Sequence, residues 1–169
     1  LPHSRRNLYY AQMDHASGQW TTIEKEALNT PLLFEEANEK VMIFDSKNKY
    51  SSIPQLWLSV DGRPVGLNRI FDVNGVEARH LHVWNGKSWV SRKAPVDAIL
   101  KPGKKEWVGF RSRDGTVRKY TSKDEGANWK PGEIILKTDG EQKINALFAK
   151  AHPDAVMVII DKIDSRRVP

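Results

Sequence analysis

Through the middle of the chain, apolar and polar side chains alternate with a period of two, the pattern of strands with one buried face. Gln55 to Val60 is the plainest case, setting Leu56, Leu58 and Val60 against Gln55, Trp57 and Ser59. Asp61-Gly62 is a hairpin signal. Pro64 to Phe71 returns as a second strand, Asp72-Val73-Asn74-Gly75 turns again, and Ala78 to Trp84 forms a third. Asn85-Gly86 then leads into a fourth, Ser88 to Arg92. Short strands joined by such tight turns make an up-and-down antiparallel meander.

A second meander follows Lys101-Pro102-Gly103. It runs Trp107 to Ser112, a turn at Asp114-Gly115, Val117 to Ser122, a polar corner, and Asn128 to Lys137. Before these units, Asn7 to Met13 reads as one aromatic-rich strand and Val41 to Phe44 as a compact apolar one. The stretch from Glu24 to Lys40 is polar and punctuated by Pro31. Its piece Leu32 to Ala37 could be helical, and an inter-strand loop is the favoured reading. Ile144 to Lys150 stays open between helix and strand, Ala155 to Asp161 is a strongly apolar strand, and Ser165 to Pro169 is a loose tail.

The corner of the second meander, Tyr120 to Trp129, reads Y-T-S-K-D-E-G-A-N-W. Ser122 and Asp124 are short polar side chains able to accept hydrogen bonds from a turn's own backbone. Gly126 permits a positive φ, and Trp129 supplies a large apolar plate beneath the turn. The spacing S-x-D-x-G-x-x-W resembles the Asp-box, or BNR repeat, of sialidase-like β-propellers. Asp14 to Trp20 is similar to a worn copy of it, and the box occupies the corner that Asn85-Gly86 occupies in the preceding unit.

The resemblance implies an all-β fold with antiparallel four-stranded meanders as blades of a partial β-propeller; a β-sandwich is the alternative. Blades of about 40 to 50 residues give residues 1–169 about three to four blades in a single all-β domain, or a fragment of a larger propeller. Further blades would then come from another chain or segment. In that family the boxes are structural corners on the rim, away from the catalytic centre, so Ser122, Asp124, Gly126 and Trp129 are expected to be structural.

Composition narrows the chemistry. The 169 residues carry six tryptophans and no cysteine, which removes disulfides, thiolate nucleophiles and cysteine-held metals. No apolar run approaches the roughly 20 residues of a membrane span, and no signal peptide is visible. The opening Leu-Pro-His-Ser-Arg-Arg is that of a mature form or a fragment. A net charge of +6 favours anionic partners. The basic residues are scattered, with short clusters only at Lys101 to Lys105 and Arg166-Arg167, and no nucleic-acid module is present. Nucleotide, serine-hydrolase and zincin motifs are also absent.

Candidate chemistry gathers on two strands. On the strand from Ala78, His80, His82 and Trp84 share one face while Arg79 and Leu81 point the other way. His80 and His82 could serve as acid and base, although ordinary polar residues of an outer strand are the favoured reading. A third ligand at metal-binding spacing is missing, so neither a metal nor a cofactor is expected. Arg69 and Arg111 occupy equivalent second strands, and their planar forks suit sugar carboxylates or sulfates. Arg79 and Trp57 complete the substrate-binding candidates, although tryptophans in such units more often pack blade against blade.

A sialidase needs an arginine triad and a Tyr–Glu pair; Asn68-Arg69-Ile70-Phe71 lacks the proline of the family's arginine motif, and no Tyr–Glu pair can be placed. The resemblance therefore implies a secreted or periplasmic protein acting on an anionic polysaccharide or oligosaccharide, as hydrolase or as β-eliminating lyase. His80, His82 or Tyr120 would supply acid or base, with His152 before Pro153 a weaker possibility. The alternative is a non-catalytic glycan- or protein-binding propeller segment. In an enzyme, Arg69 and Arg111 should converge with a His, Tyr or carboxylate.

Overall fold

The computed structural model describes residues 7–47, 49–52, 54–72, 74–75, 77–100, 106–137, 143–148 and 156–161. For 100, 143–148 and 156–161 it describes the backbone alone. These residues form antiparallel strands with one short helix. The expected Ile144–Lys150 element is a strand over its described part, and the tail, the two basic clusters and His152 lie outside the described residues. Among the described residues no helix is long and apolar enough to cross a membrane.

The chain divides into two compact units, 1–53 with 69–78 and 54–68 with 79–169. In the first unit β1 (Leu8–Tyr9) pairs with β4 (Met42–Phe44), and β2 (Gln12–Met13) pairs with β3 (Trp20–Thr21). The expected single strand Asn7 to Met13 is thus two short ones; Tyr10 leaves β1 to donate its N–H to the Val41 carbonyl. The favoured loop reading of Leu32 to Ala37 is corrected too. Phe34–Lys40 is a helix, α1, with Glu35 and Glu36 in its first turn and Lys40 in its last, charges that suit the helix dipole. Lys40 bridges Glu26 and Glu36. β5 (Tyr50–Ser51) pairs with the C-terminal end of β7 (Pro64–Phe71), which runs through both units.

In the second unit, β6 (Gln55–Leu58) pairs with the first half of β7, and β8 (Glu77–Trp84) pairs with β9 (Trp89–Lys93). β10 (Ala98–Leu100), β11 (Trp107–Arg113), β12 (Thr116–Ser122) and β13 (Lys130–Lys137) form a four-stranded antiparallel meander. β14 (Lys143–Phe148) and β15 (Val156–Asp161) make a separate hairpin. One core holds the two larger sheets together. Val65, Leu67, Leu81, Val83, Ala94, Val96, Ile99 and Trp107 are buried there, with Trp57, Tyr120 and Trp129 packed against them.

The Tyr120–Trp129 corner shows why its residue types are spaced as they are. Ser122 Oγ donates to Asp124 Oδ1 at 2.8 Å and accepts from Gly126 N at 2.9 Å. Asp124 Oδ1 accepts from Asn128 N at 2.8 Å, Asp124 Oδ2 from Asn128 Nδ2 at 2.7 Å, and Trp129 Nε1 donates to the Gly126 carbonyl at 3.1 Å. The β6–β7 turn repeats the device one sheet away. There Ser59 Oγ donates to Asp61 Oδ1 and accepts from Arg63 N at 3.0 Å, again i to i+2 and i to i+4. Asn85 Oδ1 fastens the β8–β9 turn by accepting from Lys87 N and Ser88 N.

The hydrogen bonds from Asn128 and Ser122 hold the Asp124 carboxyl down at about 2, from an ordinary value of 3.8. The unfolded chain therefore takes up this proton first as pH falls. The carboxylate's contribution to stability is fully present above about pH 4 and is lost as pH falls towards about 2. Thermal melts of Asp124→Asn between pH 2 and 7 should show a shallower acid-side decline than the parent. Superimposable acid limbs would assign that decline to other carboxylates.

Candidate functional site

Register places the candidate residues on two different surfaces. On β8, Leu81 and Val83 enter the core, so His80, His82 and Trp84 face away from it. The two histidine rings stack 6.4 Å apart, as their spacing predicts. They differ in environment. His80 is half-buried, whereas His82 is 0% exposed. His82 Nδ1 lies 2.7 Å from Ser91 Oγ, and Nε2 lies 3.0 Å from Asn68 Oδ1. An amide oxygen can only accept, so Nε2 carries the hydrogen and the Ser91 hydroxyl donates to Nδ1. Burial, assisted by His80, pushes the His82 ring down to about 4. His82 is a neutral, enclosed histidine with both nitrogens engaged, which leaves it no lone pair or proton for a substrate.

The arginines also separate. Arg69 belongs to the first unit, where its exposed side chain puts Nε 3.5 Å from Glu77 Oε1 and its backbone bridges to Ser52. Arg79, expected at the substrate, is instead mostly buried in an ion pair with Asp97. Trp57 also departs from the substrate-binding expectation: it lies opposite Val65 and packs against the core, as do Trp107 and Trp129.

Arg111 has a different setting. On β11 and β12, Trp107, Gly109 and Arg111 share a face with Ser122, Tyr120 and Arg118, because Gly109 opposes Tyr120 and Arg111 opposes Arg118. Arg111 and Tyr120 are therefore diagonal neighbours, about 7 Å apart at Cβ. The Arg111 Nε is buried without a hydrogen-bond partner among the described residues. Arg118 is occupied, donating to the Gly132 carbonyl at 2.7 Å. Tyr120 is half-buried, with its ring against the core. Since this face meets the core while His80 faces away from it, the structure brings Tyr120 together with Arg111 and not with His80.

Sequence reasoning missed Asn68, Ser91 and Asp97. Their roles depend on cross-strand neighbours, and no local motif marks them. Among the described residues no group of three or more His, Asp or Glu could hold a metal ion.

No protein-family model matches the chain. Among curated proteins it is similar to the ulvan lyase PL25 of Pseudoalteromonas sp. (strain PLSV), with 21% identity over 97% of this chain. It is 25% identical over 94% of its length to an ulvan lyase of Nonlabens ulvanivorans. The chain spans 37% of the length of each of these relatives. Among solved structures it resembles a polysaccharide lyase of the PL25 family, an ulvan lyase, with a TM-score of 0.76 and 18% identity. That match covers 94% of this chain and 40% of the other. A second PL25 ulvan lyase structure, bound to -[GlcA(1-4)Rha3S]-, gives a TM-score of 0.75 at 20% identity, over the same shares of the two chains. The structural likeness establishes a shared all-β fold.

Proposed function

We propose that this chain is part of a polysaccharide lyase that cleaves an acidic, uronate-containing polysaccharide by β-elimination. The observation that carries the reading is that Arg111 and Tyr120 share one face as diagonal neighbours, the arginine Nε buried and unpartnered among the described residues. A uronate C5–H becomes acidic enough to remove only when its carboxylate charge is countered, and a planar guanidinium does this with two parallel hydrogen bonds. Tyr120, its phenol proton first passed to solvent, then takes the C5 proton, the C4–O bond breaks, C4=C5 forms, and Tyr120 returns a proton to the departing oxygen. The likeness to ulvan lyases over nearly the whole chain supports lyase over hydrolase chemistry.

The Ser122–Trp129 corner serves this reading as an Asp-box-like structural element, and the two four-stranded meanders as blades of a larger propeller. Because the relatives are longer, further blades would complete the substrate groove. A protein acting on such a polymer works outside the cytoplasm, in the periplasm or the extracellular space.

The test is to incubate the purified chain with ulvan and with other acidic and neutral polysaccharides, following reducing ends and the ultraviolet absorbance of unsaturated uronates. Both signals should rise with ulvan, and Tyr120→Phe and Arg111→Gln should each lower the rate by about 100-fold or more. Reducing ends without absorbance would make the chain a hydrolase. Silence on every substrate from a folded chain would move the reading to a glycan-binding segment or to a fragment that lacks blades of its catalytic groove.

A further inference from the structure

We propose that Asp97 is a positioning residue for Arg111, and that Arg79 keeps Asp97 from pairing with Arg111. The proposal rests on the reading of Arg111 as the carboxylate-binding group. Asp97 closes on the backbone at both sides of that one residue. Its N–H donates to the Phe110 carbonyl at 2.7 Å, and its carboxylate Oδ2 accepts from Ser112 N, also at 2.7 Å. The β10–β11 ladder ends at Ala98 opposite Phe110, so the Asp97 side chain supplies the next rung. The other carboxylate oxygen, Oδ1, is held by Arg79 Nε, and the Asp97 and Arg79 side chains are only 11% and 15% exposed.

This arrangement resolves a conflict. An arginine that must receive a substrate carboxylate cannot be fixed in place by a carboxylate of its own, because the internal pair would occupy the fork. Arg111 forms no ion pair among the described residues, and its Nε is buried without a partner there. Its direction is therefore set through the backbone, by an acid whose two oxygens are already committed to Ser112 N and Arg79. Loss of Arg79 would leave Asp97 Oδ1 unpaired near Arg111, where it would compete with an anionic ligand.

The experiment measures kcat, KM and oligosaccharide binding for the full chain with ulvan oligosaccharides. The variants are Asp97→Ala, Asp97→Asn, Arg79→Gln and Arg111→Gln, alone and combined, with thermal melts run alongside. Since a misplacement of about 1 Å can cost about 100-fold, Asp97→Ala should weaken binding and turnover by about 10- to 100-fold. Asp97→Asn, which keeps an oxygen for Ser112 N, should recover part of the loss. Arg79→Gln should raise KM more than it lowers kcat. In the Arg111→Gln background, Asp97→Asn should change nothing further, a coupling that a merely structural role would not produce.

Three outcomes would overturn the proposal. One is an Asp97→Ala variant that binds and turns over as the parent while Arg111→Gln loses binding. Another is an Asp97 effect undiminished when Arg111 is already Gln. An Arg111→Gln variant that binds and turns over as the parent would instead sink the functional reading of Arg111, and the role of Asp97 with it.

Discussion

Gly126→Ala is expected to destabilise the second unit by about 2 to 5 kcal/mol. Two costs add at this position. Gly126 sits at φ +78°, where an L side chain costs about 1 to 2 kcal/mol. A Cβ there would also collide with Leu81 Cδ2 and approach Trp129 and Trp107 to 3.3 and 3.4 Å, and overpacking of this kind costs about 1 to 3 kcal/mol. Leu81 is 0% exposed, so its side chain has little room to retreat. Denaturant melts of Gly126→Ala, Leu81→Ala and the double variant separate the two costs. If the collision contributes, the double variant loses less than the sum of the single losses by at least about 1 kcal/mol. Strict additivity would leave backbone strain as the whole cause.

Acidification should expose the second large effect. His82 is neutral and enclosed in the folded chain, with its pKa lowered from 6.5 to about 4. Between these values the unfolded chain binds a proton that the folded chain refuses. Stability therefore falls as pH drops from about 6.5 to about 4, and this contribution levels off below that. At about 1.4 kcal/mol per unit, the loss amounts to about 3 kcal/mol. Urea melts at intervals from pH 7 to 4 should show it, and His82→Gln should flatten the curve. Should that variant fail to fold, NMR of the ring carbons of His82 provides the check. A ring that becomes charged near pH 6.5 in the folded chain would contradict the assignment.

The legible part of this fold was its strands and corners, where the information is local. The Asp-Gly and Asn-Gly turns and the spacing of Ser122, Asp124 and Gly126 each fix backbone geometry within a few residues. The alternation from Gln55 to Val60 predicts a strand correctly but its buried face wrongly, since Leu56, Leu58 and Val60 are exposed and Trp57 packs against the core. Helix α1 is hard to see in the sequence because it has no buried residue and hence no apolar stripe; its dipole-matched charges are the one local sign of it. β10 escaped notice because three residues are too few to show a period.

The sites were harder to read because their meaning lies in register. His80 and His82 are alike in sequence, and only the neighbours of His82 on β7 and β9, Asn68 and Ser91, show that it is sealed. Arg79 and Arg111 are likewise both plausible ligand arginines until Asp97, eighteen residues from one and fourteen from the other, is seen to engage the first and bracket the second.

Arg63 gives the two sheets of the second unit their mechanical character. From the β6–β7 turn its guanidinium reaches Asp61, the Trp84 carbonyl and Glu125 of the Ser122–Trp129 corner, joining one sheet to the other at that end. Arg79, Asp97 and Ser112 N join them at the opposite end. A pair of plates riveted at both ends has no free edge about which to swing. The sheets must part as one cooperative body, so the strands that carry Arg111 and Tyr120 hold their register until the second unit unfolds as a whole.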